Sequence, residues 1–276
     1  MYGWIESSKN KTSFDYFSSP KRVPWIVAMF SIVATETSVL TFISIPGIAY
    51  RGDWTFVQIG FGYILGRILV SNFLLPKYFE NNIESIYEVI GNKFGPIIQK
   101  LASFIFLITR VLADGIRFLA TAVIVQVITG WSLSNAVLLI GIVTLTYSLL
   151  GGIKTIVWID SLQFLLYLIG GFATIFFILN KSTQNSFQIF YSLFELGKIN
   201  LLSFSGNPIF NPYFFFSALI GGIFLSFSSH GVDYMMVQRV LVTKDLKSAK
   251  KAMVGSGIFV VFQFFVFLMA GSLIFY

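Results

Sequence analysis

Residues 151–180 read GGIKTIVWIDSLQFLLYLIGGFATIFFILN, an apolar run long enough to cross a bilayer that carries a carboxylate, Asp160, well inside it. At ~1.5 Å of rise per residue, Asp160 lies roughly 10–12 Å past Gly151 and Gly152. A short side chain at that depth cannot reach the interface of a hydrocarbon core about 30 Å thick. In helical steps from Asp160, the residues Gln163, Tyr167, Gly171 and Thr174 fall on the same side, a polar and small-residue stripe along a greasy helix. Such a stripe faces protein or water, and an ionisable residue within a span marks an ion or substrate pathway, or else ties helices together.

Working outward, 56% of the 276 residues are hydrophobic and 11% charged, with a mean hydropathy of +0.81. A soluble domain carries about 25% charged residues, so the fold class is all-α, a polytopic membrane protein. Seven spans are predicted, near 24–50, 54–77, 97–129, 132–150, 153–180, 212–238 and 252–276. A tight turn at Gly151-Gly152 separates the fourth from the fifth. The net charge of +7 does not point to nucleic acid, because the basic residues sort by loop. Thirteen, from Lys9 to Lys251, fall on one side and only Arg51, Lys181 and Lys198 on the other. The first side is therefore cytoplasmic, which puts residues 1–23 in the cytoplasm as a polar lead-in and the protein in a cell (plasma or inner) membrane. Cysteine is absent. No Walker loop, G-x-S-x-G elbow or H-E-x-x-H occurs, so no enzyme is expected and no cofactor.

Three further stretches carry polar chemistry. The first span holds Ala34-Thr35-Glu36-Thr37-Ser38 near its middle and Pro46-Gly47 near its outer end. Both read as places where the helix unwinds and backbone carbonyls become free, although hydroxyls bonding back to the preceding turn would only bend it. Glu36 is either paired with Arg67 or Arg117, or titrates. In the third span Arg110, Asp114, Arg117 and Thr121 share one face, a structural ion-pair network or a place where Arg117 holds a carboxylate. Residues 81–96 form a short helix that Ser85 caps and Gly95-Pro96 ends. A short amphipathic helix falls near 186–196 within an external loop, 181–211. His230 reads as a structural residue or a proton carrier.

The run GGIKTIVWIDSLQ resembles the signature of the sodium:solute symporter family. Val237-Gln238-Arg239, followed by a basic loop, resembles its second signature. Thr41 to Pro46 with Ala49, Tyr50 and Asp53 to Phe56 is similar to the sialic-acid-carrying members. The resemblance implies a partial LeuT-type inverted-repeat bundle, with a first five-helix repeat at 24–180 and the start of a second at 212–276. It further implies that the carbonyls of Ala34 and Thr37 and the carboxylate of Asp160 serve sodium, and that Ser38, Thr41 and Phe56 line the solute site; Ser226 and Ser229 put small hydroxyls about where sugar-carrying members have an amide and an aromatic gate, and Arg117, from the third-span face, is the further candidate for the solute. Ile159 departs from the family's usual Thr, Glu36 from its small polar residue and Gly60 from a Gln. The family's later helices do not appear, so the chain reads as incomplete.

The expected function is sodium-coupled symport of a small polar organic solute, in particular an organic acid, by alternating access within a lipid bilayer. Two rivals are a proton-coupled carrier resting on Glu36, Asp114 and Asp160, and a transporter-like sensory membrane domain.

Overall fold

The protein, analysed as a computed structural model, is described over residues 23–80 and 85–276, except for the side chains of 147–152 and 154. The lead-in and the start of the 81–96 segment therefore lie outside the described residues. All named elements are helices: α1 (Trp25–Glu36), α2 (Val39–Arg51), α3 (Val57–Leu69), α4 (Leu75–Glu80), α5 (Ile86–Phe94), α6 (Pro96–Thr129), α7 (Leu133–Lys181), α8 (Ser186–Glu195), α9 (Phe215–Gly231), α10 (Tyr234–Leu241) and α11 (Leu246–Phe275). A π-helical turn, Val70–Leu74, joins α3 to α4.

Where the sequence places seven spans, four helical stretches among the described residues are long and apolar enough to cross a membrane, and two bent pairs bring the number to as many as six. The bent pairs are α1 with α2, at 69°, and α9 with α10, at 66°. The expected turn at Gly151-Gly152 is absent, and α7 runs through both predicted spans as one helix of 49 residues. A glycine costs a helix only about 1 kcal/mol, and no proline lies between Leu133 and Lys181 to force a break. Pro46 likewise sits inside α2 without breaking it. Its carbonyl packs on Gly271 of α11, where a Cβ would come within 2.1 Å, and such backing from a neighbour is what lets proline persist in membrane helices. The loop helix appears as α8, capped by Asn185 with Gln188 in return. Ser85 accepts from the Tyr87 amide to start α5, and Gly95, at φ 87°, ends it.

Tertiary contact is most extensive between α3 and α9. A Cβ on Gly62 would meet the Leu219 carbonyl oxygen at 2.3 Å, and one on Gly222 the Ile59 oxygen at 2.4 Å, the backbone-to-backbone approach that small residues permit. One apolar cluster joins the first turns of α1 to α10 and the start of α11 through Ala28, Ile32, Val240 and Met253. A second joins the end of α1 to α2, α3, α7 and α11 through Val33, Ile45, Val57, Phe164 and Phe267. By contrast α6 buries only Ala122 and exposes Ile97, Leu107 and Leu112, an apolar face suited to lipid or to further helices.

Candidate functional site at the two helix breaks

The polar cluster of the first span is where α1 stops. Thr37 is extended, and its amide still reaches the Val33 carbonyl. Ser38 then caps α2: its amide donates to Thr41 Oγ1 at 3.3 Å and its Oγ accepts from the Thr41 amide at 3.4 Å. These are the two amides that would otherwise close helical bonds to Ala34 and Thr37. Their diversion leaves the carbonyl oxygens of Ala34 and Thr37 without their helical donors, and free carbonyls of this kind are hard-cation ligands. Thr37 Oγ1 meanwhile donates to Gln263 Oε1 of α11 at 2.7 Å, which holds the unwound residue in place.

Beside the break lies a cavity of about 170 Å³ lined by Glu36, Thr37, Thr41, Ser44, Phe56 and Tyr63, among others. Three predicted site residues, Thr37, Thr41 and Phe56, thus meet there. Ser38 sits at the same break, with its hydroxyl committed to the cap.

Asp160 lies beside α1 on a different partner. Its Oδ2 accepts from Arg239 Nη2 at 2.7 Å and Nε at 3.2 Å, from Ser31 Oγ at 3.0 Å and from Thr35 Oγ1 at 3.4 Å. Arg239 also donates from Nη1 to the Met235 carbonyl. Sequence reasoning counted Arg239 among loop cations, whereas its side chain is 5% exposed and locks α10 to α7 and α1. The reason is the second break: α9 ends at Gly231, Asp233 caps α10 through the amides of Met235 and Met236, and α10 turns Arg239 inward. The Gly231-Val232-Asp233 sequence, a glycine followed by an N-cap residue, is the signal that could have revealed this break.

Of the two partners offered for Glu36, the structure selects Arg67, which donates from Nη2 to Oε2. Arg67 is fully buried and also donates to Ser256 Oγ at 2.7 Å. Arg117 stays on α6 near Asp114, at 3.6 Å, and does not line the cavity. Arg110 bonds Asp114 at 2.9 Å and approaches Asp233 at 3.6 Å, tying α6 to α10. Ser226 and Ser229 are not brought to the cavity either. Ser226 is buried in the α3–α9 seam, where it donates to the Tyr63 carbonyl. Ser229 bonds His230 Nδ1 at 2.8 Å and lines a separate cavity of about 620 Å³ with Tyr78, Tyr87, Phe106 and Asp233. On α7 the buried face includes Thr155, Val157, Ser161, Phe164 and Gly171, while Gln163 is exposed at the stripe's edge.

The sequence profile of the sodium:solute symporter family matches residues 16–276. The chain is 27% identical over 250 residues to human sodium-coupled monocarboxylate transporter 1, covering 91% of this chain and 41% of that protein. It is 24% identical over 252 residues to the human sodium/iodide cotransporter, covering 91% and 39%. Among solved structures it is similar to a Na+-coupled sialic acid symporter in a substrate-bound outward-open state, with a TM-score of 0.88, 27% identity, and coverage of 99% of this chain and 58% of that one. The chain thus spans about two fifths of the length of these curated relatives.

Proposed function

Because the chain belongs to the sodium:solute symporter family, we propose that the protein it comes from couples inward sodium movement to uptake of a small polar organic solute by alternating access. The observation that carries the proposal is the capping arrangement at Ser38 and Thr41, which frees the Ala34 and Thr37 carbonyls. Sodium, the driving cargo, takes those two oxygens. Asp160, held against the last turns of α1 through Ser31 and Thr35, supplies the negative charge that favours a cation near the break. Arg239 competes for the same carboxylate, so sodium and the closed α10 position bias one equilibrium through unequal affinity for its two states.

The solute occupies the cavity beside the break. Thr41 and Ser44 supply hydroxyls and Phe56 an aromatic wall, which suits a hydroxylated, neutral solute. An organic acid is the second reading, favoured by the monocarboxylate and sialic acid in the names of two similar proteins. Against it stands Glu36 in the cavity wall, a like charge for a carboxylate. Ser38, Ser226, Ser229 and Arg117 would reach such a solute only after rearrangement.

The test is uptake by the full-length protein in proteoliposomes. A sodium gradient is expected to drive accumulation, and Asp160→Asn to abolish its sodium dependence. Accumulation driven equally well by a pH gradient without sodium, or sodium-dependent uptake unchanged in Asp160→Asn, would refute the assignment.

A further inference from the structure

Both bends of the fold meet at one buried charged group. Glu36 is the last residue of α1, immediately before the first break. His230 is the penultimate residue of α9, immediately before the second. Against Glu36 stands Arg67 of α3, fully buried, with Nη2 on Glu36 Oε2 and Nη1 on Ser256 of α11. His230 Nε2 lies 3.7 Å from the same carboxylate oxygen and has no hydrogen-bond partner, as is true of Arg67 Nε and Gln263 Nε2. His230 Nδ1 is held by Ser229, so its free nitrogen is the one turned towards Glu36. Four elements, α1, α3, α9 and α11, are thereby joined at one point.

The burial of Arg67 makes this junction consequential. Glu36 and Arg67 cannot separate without leaving the guanidinium uncompensated away from water, the costly outcome for a buried charge. The carboxylate at the end of α1 must therefore follow the guanidinium. Arg67 in turn follows α9, because the glycine seam between α3 and α9 leaves no room for sliding: a Cβ on Gly66 would sit 2.6 Å from the Ile223 carbonyl oxygen and 2.8 Å from Ser226 Cβ. His230 is poised a few tenths of an ångström beyond hydrogen-bond distance. A small rotation at either break makes or loses that bond and is felt at the other.

We propose that Arg67 is a positioning residue that couples the two breaks by holding Glu36 where it faces His230. Movement at the 37–38 joint is transmitted to the 232–233 joint through the Arg67–Glu36–His230 junction, and the reverse. The proposal rests on reading both breaks as the moving joints of a carrier. It assigns Glu36 a mechanical task distinct from lining the cavity, and it accounts for a full charge pair placed where neutral packing would be at least as stable.

These 276 residues hold no cysteine, so once any cysteine in the rest of the full-length protein is replaced, single-cysteine reporters are direct. Val39→Cys in the first turn of α2 and Met235→Cys in the first turn of α10 are both half-buried, so their alkylation rates report the two joints. Leu193→Cys, buried in α8, reports loss of folding. Rates are measured on the full-length protein in liposomes without sodium. Glu36→Gln is expected to change the Met235→Cys rate, and His230→Gln the Val39→Cys rate, each by about fivefold or more, the scale of ordinary coupling between sites. The double substitution Glu36→Met/Arg67→Met keeps an apolar filling and is expected to show the same uncoupling with Leu193→Cys unchanged; Arg67→Lys should restore part of it. A change confined to the joint beside the substitution, or shared equally by Leu193→Cys, overturns the proposal. Added sodium is then a separate arm: no response at Val39→Cys, with the reciprocal effects intact, refutes the sodium assignment and leaves the coupling standing.

Discussion

Removing one member of the Asp160–Arg239 pair should be more damaging than removing both. The side chains are 15% and 5% exposed, with the closest contact at 2.7 Å. Two charges about 4 Å apart in surroundings of effective dielectric ~20 attract by about 4 kcal/mol, and desolvation offsets much of it. Truncating one partner of a buried pair therefore costs about 3–5 kcal/mol, while replacing both with apolar groups is close to neutral. The two single variants are not equivalent. In Arg239→Met the remaining carboxylate keeps its hydrogen bonds from Ser31 and Thr35. In Asp160→Leu the guanidinium stays charged at any accessible pH, so this variant is expected to be the less stable. At roughly 2–4 °C per kcal/mol for a chain of about this length, the loss corresponds to roughly 6–20 °C in the apparent midpoint of thermal unfolding in detergent at a fixed scan rate. Asp160→Leu/Arg239→Met should recover most of it. Sodium, but not choline, should raise the midpoint of Arg239→Met, because the competing cation is gone. A double variant whose midpoint falls by the sum of the two single losses would refute the reasoning.

Three further outcomes are expected. Gly62→Ala should destabilise by about 1–3 kcal/mol through overpacking of the α3–α9 seam, whereas Gly221→Ala, whose Cβ would meet nothing within 4 Å, should be neutral; thermal unfolding of the two variants side by side checks this. Thr37→Val should lower stability by about 1–3 kcal/mol by orphaning Gln263, yet leave the half-saturating sodium concentration unchanged, since the proposed ligand is the main-chain carbonyl; a large rise in that concentration would move the sodium site. Asp245 caps α11 by accepting from the Ser248 amide, and that bond holds its carboxyl below the usual range. A lowered folded value means stabilisation that is complete above about pH 3.9 and lost as the pH falls through the folded value. Hydrogen exchange at Ser248 and Ala249 should therefore gain protection from the cap at neutral pH and lose it in acid, and Asp245→Asn should flatten that dependence.

A helical membrane chain, the approximate limits of most spans, a break within the 34–38 cluster and the family were legible in the sequence, because apolar runs, capping residues and short motifs are local and survive reading in one dimension. The face shared by Arg110, Asp114 and Arg117 was equally legible, its members being one helical turn apart. Tertiary structure alone decided who neutralises Asp160, since Arg239 lies 79 positions away along the chain and reads locally as a loop cation. It also decided that Glu36 pairs with Arg67 and not Arg117, that α7 passes straight through its glycines, and that Thr41 and Phe56 share a cavity from which Ser226 and Ser229 are excluded. Each of these depends on which helices approach closely enough for charges to meet away from water, and that approach is set by the glycine seam and the two bends acting together.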